Sequence, residues 1–147
     1  MRHINYVIGV VIMSCFNVFA NDAIIISSEN AAEYNVRVKV GSSEIYNMYE
    51  INVVVGRVPS KWSCLTLSKV DIGFYNEKNN ELTAIVPLAL NGDGELKYNF
   101  TLRKESIKNV GFGVNYINSS NDNKCEEISQ DAFVIDFSDW IIPVINK

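Results

Sequence analysis

Apolar and other residues alternate with a period of two along much of this chain. Leu82, Ala84, Val86, Leu88 and Leu90 form one such run, and the turn Asn91-Gly92-Asp93-Gly94 follows. Leu96, Tyr98, Phe100 and Leu102 then alternate with Lys97, Asn99, Thr101 and Arg103, and the pattern resumes at Val110, Phe112, Val114 and Tyr116. Successive strand side chains point to opposite faces, so Leu82 to Tyr116 predicts a meander with one apolar face that must be covered. Asn-Gly and Asp-Gly between two alternating runs are the residues that a tight hairpin turn demands.

Upstream, Ala23 to Ile26 reads as a short edge strand, and Val36, Val38 and Val40 alternate with Arg37 and Lys39. Tyr49, Ile51, Val53 and Val55 give the next strand, which Gly56 and Pro59 end. Leu65 and Leu67 share one parity while Val70, Ile72 and Phe74 share the other. A bulge near Ser68-Lys69 would put all five on one face. Asn76 to Asn80 is a polar turn, Asn118 to Lys124 a polar loop, and Phe133, Ile135 and Phe137 predict the last strand. In the tail, Trp140 to Ile145, Pro143 cannot donate to a ladder and argues for an edge or a docked terminus.

Seven or eight short strands at these spacings, with no amphipathic helix beyond a turn at Lys104 to Lys108, predict an antiparallel β-sandwich. The expected version is immunoglobulin-like in architecture, although a tryptophan packed on the bridge is not evident.

The N-terminus changes the picture from fold to compartment. Arg2 and His3 precede an apolar run from Ile4 to Phe19, and Val18-Phe19-Ala20 offers a cleavage site before polar Asn21-Asp22. That is the grammar of a secretory signal peptide, so residues 1–20 are expected to be removed and residues 21–147 to form a single exported domain. The run is short for a membrane span, which needs roughly twenty residues. A periplasmic or extracellular location follows, with no membrane span after cleavage. Ile12-Met13-Ser14-Cys15 loosely matches a lipoprotein box, and lipidation at Cys15 is the minor alternative.

Cleavage leaves twelve basic and seventeen acidic residues, a net charge of −5, because Arg2 departs and no acid does. The bases are scattered, so nucleic acid is not an expected partner. Cys64 and Cys125 remain, and in an exported protein such a pair predicts a disulfide.

Candidate chemistry is sparse. His3, the chain's one histidine, leaves with the leader, and with it the Ser-His-Asp and Cys-His arrangements that activate a nucleophile. No metal site and no cofactor are expected. Ser60-Lys61 and Ser68-Lys69 are adjacent pairs, but neighbours on a strand face opposite ways. Glu126, Glu127, Asp131, Asp136 and Asp139 make the C-terminal third acidic, without a spacing that requires the facing carboxyls of a glycosidase. Asn91-x-Asp93-Gly94-Glu95 resembles part of a calcium loop, but Phe100 stands where a bidentate Glu is needed. Asn99-Phe100-Thr101 and Asn118-Ser119-Ser120 match the glycosylation pattern, a short one that recurs by chance.

The expected function is therefore a non-enzymatic module that binds a protein or a glycan in the cell envelope or outside the cell. The alternative is a structural or assembly subunit, in which the run Ala23 to Ile26 or the apolar tail adds a strand to a partner sheet. The expected binding surface is the disulfide corner, where Trp62 would lie near Glu126 and Glu127.

Overall fold

The computed structural model of the protein describes residues 23–141, apart from Glu77 and Asn80. The expected signal peptide with Cys15, and the tail beyond Ile141, lie outside the described residues.

Eight strands are present among the described residues: β1 (Ile24–Ile26), β2 (Val36–Ser42), β3 (Met48–Val55), β4 (Leu65–Tyr75), β5 (Leu82–Leu88), β6 (Leu96–Arg103), β7 (Val110–Asn118) and β8 (Phe133–Asp136). They form a five-stranded sheet in the order β1-β8-β7-β4-β5 and a three-stranded sheet in the order β2-β3-β6. The alternating residues expected to be buried on β3, Tyr49, Ile51, Val53 and Val55, are buried. The bulge is also present. The β4–β7 register shifts between Leu67 and Lys69, so Leu65, Leu67, Val70 and Ile72 all turn inward along one eleven-residue strand.

The central meander does not form. β5 pairs with β4 in the larger sheet, β6 pairs with β3 in the smaller one, and β7 returns to β4. The turn between β5 and β6 is thus a crossing from sheet to sheet, not a hairpin. Asn91 closes it by accepting at Oδ1 from the backbone N–H groups of Asp93 and Glu95, at 2.9 and 3.0 Å. Gly94 adopts a φ of 75°, a conformation that glycine takes without Cβ conflict. Period-two alternation tells which face of a strand is covered; it carries no information on which strand lies alongside.

Three smaller expectations are also corrected. The sheet is not purely antiparallel: β1 runs parallel to β8, with Ile24 opposite Phe133 and Ile26 opposite Ile135. The first apolar run is therefore already built into this molecule's own sheet. Residues Asn123–Ser129 form a short helix, α1, which takes in the last two residues of the expected polar loop Asn118 to Lys124 and continues beyond it, where no helix was expected. Phe137 lies beyond the last strand, in a 3-10 turn (Phe137–Trp140), yet its side chain is fully buried.

The two sheets share one apolar core. Phe100 of β6 stacks on Phe112 of β7 with ring centroids 5.6 Å apart, and Phe137 meets Phe112 edge-on at 4.8 Å. Such offset and edge contacts add to what area burial alone contributes. No helix among the described residues is long and apolar enough to cross a membrane.

Candidate functional site

Cys64 immediately precedes β4 and Cys125 lies in α1. They are joined by a disulfide, with Cα atoms 6.2 Å apart, inside the range that a bridge spans. The loop before α1 is tied to the same point: Ser119 donates from both its backbone N–H and its hydroxyl to the Cys64 carbonyl, each at 2.8 Å. Asn118 donates to the Asp122 carbonyl and to Glu126 Oε2, both at 3.2 Å. Asp122 caps α1, accepting from the Lys124 N–H at 2.8 Å and so satisfying one of the free donors of the first turn.

The bridge therefore fixes the Asn118 to Lys124 segment beside the connection that leads into β4. Glu126 and Glu127 are exposed on α1. Trp62 is half-buried and packs against the core, so part of its ring is committed to holding the fold.

Asp136 and Asp139 have local partners. Asp136 accepts from the N–H and hydroxyl of Ser138, at 3.0 and 2.6 Å. Asp139 accepts from the N–H and hydroxyl of Ser28, at 2.7 and 2.8 Å, and these two donors hold its carboxyl below the usual carboxylate range. Among the described residues no group of three or more His, Cys, Asp or Glu is gathered as a metal ion would require.

The lysines of the two Ser-Lys pairs face carboxylates. Lys61 Nζ lies 2.7 Å from Glu33 Oε2, and that hydrogen bond holds its ammonium above the ordinary lysine value. Lys69 Nζ lies 3.0 Å from Asp71 Oδ2, while the Ser68 hydroxyl donates to the Asn115 carbonyl at 3.1 Å.

A second feature escaped the sequence reading. The connection from β2 to β3 carries Ile45 and Tyr46, which are 60% and 95% exposed. It is a well-tied tip. Ser43 donates to the Met48 carbonyl at 3.1 Å, and Ile45 N–H donates to the Ser43 hydroxyl at 3.1 Å. Asn47 takes a left-handed φ of 58°, which asparagine tolerates better than most residues, and its amide donates to Glu105 Oε2 at 2.7 Å. Its carbonyl accepts from the Lys104 N–H at 3.0 Å. Lys104 Nζ lies 5.3 Å above the Tyr49 ring at the base of the same hairpin. The tip is thus pinned to the turn after β6, and presents an aromatic and an aliphatic side chain to solvent.

The one signal for it in the sequence is an Ile-Tyr pair between Glu44 and Asn47, set in the connection between the two alternating runs. No family model matches the chain, and no curated protein or solved structure matches it.

Proposed function

We propose that this protein is an exported, non-enzymatic binding module that recognises a protein or glycan partner in the cell envelope or outside the cell. Export is supported by the leader in the sequence and by the Cys64–Cys125 bridge, since disulfides persist mainly in oxidising compartments. The fold reading is an immunoglobulin-like β-sandwich in one domain. In its favour, a β8-β7-β4-β5 sheet faces a β2-β3-β6 sheet, with the first strand running parallel to the last. The crossings between sheets from β3 to β4, β5 to β6 and β6 to β7 support this reading. The bridge departs from the pattern of antibody domains, because it joins the start of β4 to α1 and does not link two strands across the core.

The observation that carries the binding reading is the tip at Ile45 and Tyr46. Tyrosine is enriched at binding hot spots, and an anchor held in place before binding loses less freedom when a partner arrives. Loops set on a rigid β framework are also where binding commonly resides. A non-enzymatic role agrees with the lysine chemistry: a general base needs a depressed pKa, and Lys61 is shifted the other way.

The test compares immobilised chain, the double variant Ile45→Ser/Tyr46→Ser and the double variant Glu126→Gln/Glu127→Gln against envelope extracts and a glycan library. A saturable partner should bind the unmodified chain and bind the tip variant at least about tenfold more weakly, the size of effect one anchor residue supplies. Loss in the Glu126/Glu127 variant alone would move the surface to the disulfide corner. Turnover of a substrate by the purified chain, with no saturable partner, would overturn the reading.

A further inference from the structure

β5 ends the larger sheet with an edge unlike the other three. β1 is only three residues long, β2 carries Arg37 and Lys39, and β6 carries Lys97 and Arg103. Shortness and basic side chains are usual means of keeping an edge from pairing with another chain. β5, Leu-Thr-Ala-Ile-Val-Pro-Leu, has seven residues and no charge. Both of its faces are open, with Ile85 41% exposed on the outer face and Val86 45% exposed on the inner one.

The register identifies which backbone groups face outward. At the β4–β5 turn the Asn76 N–H donates to the Glu81 carbonyl at 2.8 Å, so Asn76 points its backbone groups toward β5. By alternation Phe74, Ile72 and Val70 do the same, and their partners Ala84, Val86 and Leu88 point theirs back. Ile85 and Pro87 therefore direct their backbone groups to solvent, whereas Thr83 is the extra residue at a register shift opposite Phe74 and Tyr75 and donates its hydroxyl to the Phe74 carbonyl at 3.0 Å. Pro87 agrees independently, because a proline within a sheet belongs where the missing N–H faces outward.

We propose that two copies of this chain pair through β5, antiparallel about a two-fold axis at Ile85, joining their five-stranded sheets into one continuous sheet. In that register Ile85 faces its own copy, Thr83 faces Pro87 and Ala84 faces Val86. The Ile85 N–H of each copy then reaches the Ile85 carbonyl of the other across the axis. Every facing pair is uncharged. The same operation on β2 about Val38 sets Arg37 against Lys39, and on β6 about Phe100 it sets Lys97 against Arg103. Self-pairing is thus electrically open at β5 and opposed at β2 and β6, since like charges directly across a ladder repel. A two-fold contact that uses one patch on both subunits closes on itself, so the product is a dimer and not a fibre.

Sedimentation of the purified chain from micromolar to millimolar concentration tests this, with Ile85→Lys, Ile85→Glu and their equimolar mixture. The unmodified chain should dimerise as concentration rises. Each variant should be at least tenfold weaker in self-association, and the mixture should recover the dimer, because lysine then faces glutamate. A chain that stays monomeric throughout, a dimer that persists in Ile85→Lys, or a mixture that fails to dimerise would each overturn the proposal. Hydrogen exchange on the unmodified chain provides a readout free of variant folding: the Ile85 amide should slow with concentration, and an unchanged rate would count equally against it.

Discussion

Tyr116 turns its ring into the core, edge-on to Phe133 at 5.0 Å, and its hydroxyl has no hydrogen-bond partner among the described residues. Burial pushes its phenol well above the ordinary tyrosine value. A buried hydroxyl without a partner carries a desolvation cost on the order of 1–3 kcal/mol, so Tyr116→Phe should leave stability unchanged or raise it by up to about that amount. Urea denaturation of the two chains measures this, and a loss of more than about 1 kcal/mol would show that the hydroxyl is paired after all. The inward parity of Tyr116 was legible from Val110, Phe112 and Val114. The fate of its hydroxyl was not, because alternation locates a side chain on a face and says nothing of what lies beyond its end. Tyr46 is the complementary case. It lies in the connection between two alternating runs, and only the hydrogen bonds of Ser43 and Asn47 turn that connection into a rigid presenting tip.

Within elements, β4 depends on one residue of spacing. Leu65 and Leu67 reach the core on one parity and Val70 and Ile72 on the other, and the irregularity at Ser68 reconciles them. Deleting Ser68 would restore a regular ladder and turn one of the two pairs toward solvent. At roughly 1.5–3 kcal/mol for each buried aliphatic side chain, exposing two costs a large share of a domain's stability. The deletion should abolish cooperative unfolding as followed by circular dichroism, whereas Ser68→Gly, which keeps the spacing, should retain it. This bulge was readable from parity alone. The short helix α1 was not, since its seven residues include one buried side chain, Cys125, and no apolar stripe from which a period could be recognised. It is held by the bridge, by the Asp122 cap and by packing on β7.

For the molecule as a whole, the Cys64–Cys125 bridge spans 61 residues of sequence. Between its ends run β4, β5, β6 and β7, strands of both sheets. A loop of that length implies roughly 4 kcal/mol of stabilisation in the chain-entropy model. The double variant Cys64→Ala/Cys125→Ala should lose stability of that order in chemical denaturation. A change below about 1 kcal/mol would mean that the three hydrogen bonds of Asn118 and Ser119 to Asp122 and Cys64 hold the corner without it.

The sequence by itself determined which residues are buried on most strands, where the chain turns, and which two cysteines could pair. Each of these is local, or is settled by elimination: side-chain direction follows from a two-residue period, turns from Asn, Gly and Pro, and with Cys15 read as part of an expected signal peptide Cys64 and Cys125 allow one bridge. Tertiary structure alone decided that β5 and β6 part company, that β1 lies parallel to β8 more than a hundred residues later, and that Ile85 and Tyr46 remain exposed. Those outcomes depend on competition among strands with the same alternation for a limited number of neighbours. β3 takes β6 along an eight-residue ladder, which leaves β5 on the far side of β4 with no strand beyond it among the described residues.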